Sequence, residues 1–398
     1  MSDLFWPGDH RAGALMSQRA FLAALVMAEN AWLATLVEAG IAPPNAAADL
    51  DELAGDADLA GIAAGAEADG NPVTGLVKLL RSRTGAESAR WLHRGLTSQD
   101  VLDTALMLCL RDALTEIRHR LGTQTRTLVD LVETHRHTPM LTRTLTQAAL
   151  PGTAGRKFAV WLTGVLDAAD ALDATAAPAV SAGGAAGTLA ATTELTGSPR
   201  AAVALAERWA TALGLAPAPP WHTTRSPITR TADALVGCSD AWGHIANDVA
   251  AGVRAGELAE GSGGGSSTMP HKNNPVLTVL IRRAALTAPA LGATLHTAAA
   301  ASVDERADGG WHAEWATLAT LTRRTVVAGA QTAELLAGLR VQADRARANL
   351  DGAAGIRAEQ HTMAQLAGRP PMAGYLGASD LLIDAALTRA RDRRKEEP

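Results

Sequence analysis

The sequence predicts an all-α protein, a long central helical bundle with smaller helical domains at its N- and C-terminal ends. Three observations carry that expectation. Apolar residues make up 47% of the chain, yet only three Phe and one Tyr accompany nine Trp, so the core must be mostly Ala, Leu and Val. Apolar positions recur at steps of three and four over stretches longer than an ordinary helix. No segment shows a convincing strand alternation. At 398 residues the chain also exceeds the size at which one core stops growing, about 250–300 residues, so several packed regions are expected.

The elements follow in chain order. Ser17 offers an N-cap, helix formers run on to Ala39, and Gly40 with Pro43-Pro44 ends the run. Up to residue 100, Gly70-Asn71-Pro72 and Gly85 cut the chain into short helices, which gives an N-terminal helical domain over 1–100. From Asp100 onward, Leu102, Leu106, Cys109, Ala113 and Ile117 keep helical spacing, with further leucines on neighbouring faces. That helix is expected to be buried on most sides. Residues 231–258 place Leu235, Cys238, Trp242, Ile245, Val249 and Val253 in one stripe on a helix roughly 40 Å long at 1.5 Å per residue. Similar segments near 120–136, 153–176, 199–213, 274–300 and 312–340 complete a central long-helix bundle over 101–345. The remainder, 346–398, holds Gly352, Gly355, Gly368 and Pro370-Pro371 before a last helix near 378–391, and reads as a shortened C-terminal helical cap.

Composition narrows the function. The net charge of −5 has no basic tract beyond the terminal RARDRRKEEP, so no nucleic-acid partner is expected. Cys109 and Cys238 lie inside predicted helices without metal-type spacing and read as small core residues of a reducing compartment. The opening MSDLFWPGDHR lacks a signal pattern, and no uncharged apolar stretch reaches the roughly 18 residues of a membrane span. A cytoplasmic protein without metal or cofactor, and with no membrane partner, is the expectation.

Four polar stretches interrupt the alanine-rich background: His93 to Asp100, Arg143 to Gln147, Gly183 to Thr188, and the run GSGGGSSTMPHKNNP over 261–275. Hydroxyls, amides and a cation at helix starts suit a small carboxylate, because unpaired N–H groups and the helix dipole favour an anion. Thr97-Ser98-Gln99-Asp100 taken alone reads as a helix N-cap, and only its company points to binding. In the last stretch the glycines allow positive φ, Ser266 and Ser267 supply hydroxyls, Lys272 supplies a charge, and Asn274-Pro275 opens the next helix. A serine near a lysine and a row of amide donors can remove a proton beside a carboxylate and stabilise the dianion that results. A plain linker has no reason to end in Met-Pro-His-Lys-Asn-Asn-Pro.

GSSTMPHKNNP resembles the GSSxMPxKxNP signature of the fumarase/aspartase superfamily, and Thr97-Ser98-Gln99-Asp100 with Asp103-Thr104-Ala105 resembles its first substrate-binding segment. LTSQDVLDTAL (96–106), RTLTQAALPGTAG (143–155), GGAAGTLA (183–190), PWHTTRSPI (220–228) and GGWHAEW (309–315) are most similar to the bacterial 3-carboxy-cis,cis-muconate cycloisomerase branch. The likeness covers nearly the whole chain. It implies bond cleavage or formation β to a carboxylate through an aci-carboxylate. Ser266 would be the base, Lys272 a charge stabiliser and His93 a catalytic partner, while Thr97, Ser98, Gln147, Ser267, Met269, His271 and Asn274 would hold a small polycarboxylate. The resemblance further implies a homotetramer with shared active sites, and lactonisation of a carboxymuconate in aromatic catabolism. The alternatives are a lyase of the same superfamily acting on a succinyl-type substrate and a non-catalytic scaffold of the same fold. Where the lyases carry Thr-His-x-Gln-Pro, this chain has Thr144-Leu145-Thr146-Gln147-Ala148. That departure argues against an ordinary amine lyase and leaves His93, His222, His271 and His312 as the candidate polar partners.

Overall fold

The computed structural model describes residues 3–261, 264, 265, 269, 273–306 and 308–396. Among them the chain is all-α, with fourteen α-helices and four short strands. In order these are α1 (Gln18–Glu38), α2 (Leu59–Asp69), α3 (Pro72–Arg83), α4 (Ala86–Trp91), α5 (Ser98–Thr134), β1 (Pro139–Thr144), β2 (Gln147–Thr153), α6 (Ala154–Asp173), α7 (Ala190–Thr196) and α8 (Pro199–Leu213). Then come α9 (Ser226–Ala255), β3 (Leu258–Ala259), α10 (Val276–Ala300), α11 (Gly309–Gly338), β4 (Arg340–Val341), α12 (Ala343–Asp351), α13 (Ala358–Leu366) and α14 (Ser379–Glu396). The chain forms two compact units, each assembled from three segments.

The first unit comprises Met1–Glu116, Asp173–Leu235 and Pro289–Val326. Its helices start where the local chemistry directs. Ser17 Oγ accepts from Ala20 N–H at 3.1 Å, Asn71 Oδ1 accepts from Val73 N–H at 3.0 Å ahead of Pro72, and Ser198 Oγ accepts from Ala201 N–H ahead of Pro199. Each satisfies one of the donors that a helix start leaves unpaired. Tryptophan fills the space that alanine leaves. Trp32 on α1 and Trp209 on α8 meet edge to face at 5.4 Å, both fully buried, and Trp209 Nε1–H donates to Ala28 C=O at 3.0 Å. A buried indole is both a large apolar body and a donor that needs a partner.

The second unit comprises Ile117–Leu172, Val236–Ala288 and Val327–Pro398. Here too the indoles are bonded, Trp242 Nε1–H to Gln124 Oε1 at 2.7 Å and Trp161 Nε1–H to Asp248 Oδ2 at 2.8 Å. Cys238 and Cys109 are buried free thiols, each pushed up to about 12 by burial and so inert, as expected for core residues. The last helix, α14, lays Ile383, Leu387 and Ala390 into the core, and Arg136 pairs with Asp380 and Asp384 at its edge. Because those aspartates are more than half exposed, the apolar face rather than the ion pairs holds the helix.

One expectation requires correction. Residues 139–153 form an antiparallel hairpin, with Thr144 opposite Gln147 and Leu145-Thr146 as a two-residue turn. Both turn residues have positive φ, 48° and 71°, the geometry of a type I′ turn, which ordinarily selects Asn-Gly. Only the base of the hairpin is buried, so no core imposes the alternation by which a strand is recognised. By length and composition alone α1 and α10 are long and apolar enough to cross a membrane. Both contain charges, Glu29 in α1 and Arg282 and Arg283 in α10, and α1 lays Glu29 and Trp32 into protein.

Removing the Trp209 ring tests the packing of the first unit. Trp209→Ala is expected to lower stability by about 3–5 kcal/mol, measured as a fall in the urea midpoint; an unchanged midpoint would contradict the burial described.

Candidate functional site

The start of α5 is held by a carboxylate three residues into the helix, with additional partners. Thr97 C=O accepts the first helical bond from Val101 N–H, and Thr97 N–H donates to Asp100 Oδ2 at 2.9 Å. This is the bond by which a carboxylate at the third helical position reaches back to the N–H of an N-cap residue. Asp100 does more than cap. Gly184 N–H donates to Oδ2 and Gly183 N–H to Oδ1, each at 2.9 Å, and His222 Nε2 lies 2.7 Å from Oδ1. The carboxylate is fully buried, so four donors replace its water. Donation by Nε2–H places the proton there and leaves His222 Nδ1, which is buried without a partner among the described residues. The glycines are required: a Cβ on Gly183 would stand 2.7 Å from His222 Cε1, and Gly184 has φ +68°.

One turn along α5, Asp103 joins a second buried cluster. Arg225 Nη1 and Nη2 donate to its two oxygens at 2.8 and 3.0 Å, while Nε and Nη2 donate to Glu314. Trp311 Nε1–H and Gln99 Nε2–H complete Asp103. Burial acts to lower the Arg225 pKa, but Asp103 and Glu314 outweigh it and the net shift is upward. The Glu314 carboxyl is raised by burial, against the pull of Arg225. The arginine therefore keeps its charge and orders two carboxylates around the N-terminal half of α5.

His93 stands just ahead of that helix in a left-handed conformation, φ +64°, where a residue with a side chain is uncommon. Its Nδ1 is 2.5 Å from Glu29 Oε1, and Glu29 is fully buried. Burial pulls the His93 pKa down, but the adjacent Glu29 carboxylate outweighs it and the result is raised. Beyond it, Trp32 Nε1–H donates to Arg94 C=O at 2.7 Å and Thr192 Oγ–H donates to Gly95 C=O at 3.1 Å, with Gly95 at φ +91°. His93, buried Thr97 and half-buried Ser98 thus lie on one segment fixed from several sides.

Of the other residues foreseen from the sequence, His312 belongs to the first unit, Gln147, Met269 and Asn274 to the second, and the rest fall outside the described residues. Gln147 opens β2 beside the turn and is exposed, with Nε2 donating to Thr146 Oγ1. Nearby Arg143 is fixed by Glu257 through bonds of 2.8 and 2.6 Å. Asn274 exchanges both backbone bonds with Gly264, at 2.8 and 2.9 Å, so the two stems of the glycine loop pair. Glu260 Oε1 accepts from Thr278 N–H at 2.9 Å and caps α10. Met269 is 40% exposed. Ser266, Ser267, His271 and Lys272 lie outside the described residues. His312 bonds two backbone carbonyls, of Gly70 and Asp308, a structural arrangement. Sequence reasoning missed Glu29, whose only signal was an acid in the middle of an apolar helix, and the pairing of His222 with Asp100 across 122 positions.

A protein-family model described as Lyase matches residues 18–289. A nitrosuccinate lyase of Streptomyces davaonensis is 43% identical, covering 94% of this chain and 81% of that protein. A 3-carboxy-cis,cis-muconate cycloisomerase of Bradyrhizobium diazoefficiens is 38% identical over 94% of this chain and 82% of its own. Among solved structures, the 3-carboxy-cis,cis-muconate lactonizing enzyme from Pseudomonas putida superposes with a TM-score of 0.84 at 29% identity, covering 96% of this chain and 97% of the other.

Asp100→Asn tests whether one carboxylate ties the segment together. An amide turns a donor toward backbone donors, so at least one buried N–H loses its acceptor, at a cost of about 1–3 kcal/mol. A lower thermal midpoint is expected, and an unchanged one would refute the role given to Asp100.

Proposed function

The chain belongs to the fumarase/aspartase superfamily of lyases, and on that premise we propose that it expels a stable anion from the carbon β to a carboxylate, with a nitrosuccinate-type dicarboxylate as substrate. The observation that carries this reading is Leu145. An amine leaves only after it is protonated, which calls for a general acid. Nitrite departs as an anion and needs none. Leu145 occupies the place where the amine lyases have histidine, at a hairpin turn and 96% exposed, and it has no proton to give. The 43% identity to a nitrosuccinate lyase over 94% of the chain supports the same substrate class.

In this reading Ser266 removes the proton α to the distal carboxylate, and Lys272 with backbone amides stabilises the aci-carboxylate dianion. Expulsion of nitrite then leaves a butenedioate. A serine acts as a base only where cations and exclusion of water favour its alkoxide. His93, Thr97, Ser98, Gln147, Ser267, Met269, His271 and Asn274 are proposed to hold the substrate in a homotetramer whose sites draw on more than one copy.

The second reading, lactonisation of 3-carboxy-cis,cis-muconate, is favoured by the 38% identical cycloisomerase and the 0.84 TM-score. It shares the logic of Leu145, because the group that adds to the double bond is also an anion, a carboxylate.

Purified protein given each substrate in turn separates the readings. Nitrite release from nitrosuccinate is expected, with kcat falling about 10²–10⁴-fold in Ser266→Ala. Loss of the muconate diene absorbance without nitrite release would transfer the assignment to the second reading, and turnover of neither would defeat both. Thr97→Val and Ser98→Ala are expected to raise KM about tenfold each for the loss of one hydrogen bond to a charged group, and an unchanged KM would remove them from the site.

A further inference from the structure

The proposal that His93, Thr97 and Ser98 hold a substrate carboxylate leaves the role of the imidazole open between proton acceptor and anion binder. Its surroundings decide between them. Nδ1 is engaged by Glu29 Oε1 at 2.5 Å, so Nε2 is the nitrogen left for a ligand, and the side chain keeps 18% of its surface exposed. Glu29 is fully buried and its second oxygen, Oε2, has no partner among the described residues. A buried carboxylate with an unfilled acceptor stabilises a neighbouring cation strongly, because little water screens it. Three charged groups act on the ring: Glu29 from α1, Arg81 from α3 and Asp100 from α5. Arg81 is itself committed, Nη2–H donating to Leu92 C=O at 2.8 Å.

We propose that Glu29 is a positioning residue that holds Nδ1–H, fixes the ring in its left-handed segment and presents Nε2–H of an imidazolium to a substrate carboxylate. His93 therefore binds anions and does not accept the substrate proton. This rests on the lyase reading for the identity of the anion, not for the Glu29–His93 pair itself. The sign of the linkage follows from the upward shift. The stability that the pair contributes is fully present below the unfolded histidine value, about 6.5, and is lost as pH rises through the higher folded value.

The test combines two readouts on the full chain. Protein labelled with ¹³C-histidine is titrated by NMR, the His93 signal being assigned by its loss in His93→Gln, and fumarate binding is measured by calorimetry from pH 6 to 9. His93 in the wild type is expected to titrate above the ordinary histidine value, and lower in Glu29→Gln. The dissociation constant for fumarate is expected to rise about tenfold in that variant at pH 7.5, to converge on the wild type toward pH 6, and to recover in part in Glu29→Asp. A wild-type His93 that titrates at or below the ordinary value overturns the proposal, and that measurement needs no variant to fold. Equal fumarate affinity of Glu29→Gln and wild type at every pH overturns it as well. If the wild type binds no fumarate and turns over neither substrate, the lyase reading fails while the His93 titration still decides the role of Glu29.

Discussion

The carboxylate of Asp100 takes four hydrogen bonds from three separate parts of the chain: Thr97 N–H, Gly183 and Gly184 N–H, and His222 Nε2–H. A buried ion of this kind is tolerated only when its acceptor sites are filled, so each donor has to arrive in place for the others to be worth burying. The start of α5, the glycine turn near 184 and the segment leading into α9 are in this way fixed to one another. Geometry at Thr97 and Ser98 follows from that fixation rather than from local preference alone. The same carboxylate also contributes to the field on His93.

Around this tie the first unit holds more buried charge than an alanine-rich core would suggest. Arg225 is fully buried between Asp103 and Glu314, and its planar fork satisfies oxygens of both. A buried ion cluster contributes little net stability over a well-packed apolar one, and loses a great deal if one member is removed. What it does provide is direction, since hydrogen bonds fix the rotation of α5 where dispersion contacts between Ala and Leu would permit neighbouring alternatives. The tryptophans serve the same end. Trp32, Trp221 and Trp311 each send an N–H to a specific oxygen, so volume and orientation are supplied by one side chain.

Long helices were legible because their apolar period is local and strong. The stripe Leu235, Cys238, Trp242, Ile245, Val249 is buried throughout, and α9 begins before it, at Ser226, because Pro227 at the second position is no obstacle to a helix start. The hairpin over 139–153 was not legible. Most of it lies outside the core and carries no alternation, and its turn puts Leu145 and Thr146 at positive φ, where propensity would not place them. Ser17 announced its cap, and at the site Thr97 to Asp100 announced a helix start, whereas the caps of Asn71 and Ser198 emerged only in the structure. The further partners of Asp100 gave no sign.

The all-α class, the start of the first helix at Ser17 and the superfamily were legible in the chain alone, because periodicity, capping chemistry and an eleven-residue motif are each written within one stretch of it. Only the tertiary structure decided that His222 serves Asp100, that Arg225 holds Asp103 to Glu314, and that Glu29 is the partner of His93. Those pairs join residues 122, 122, 89 and 64 positions apart. No local rule links them. A carboxylate's preference for a given imidazole or guanidinium arises only once burial has removed the water that would otherwise have served either one.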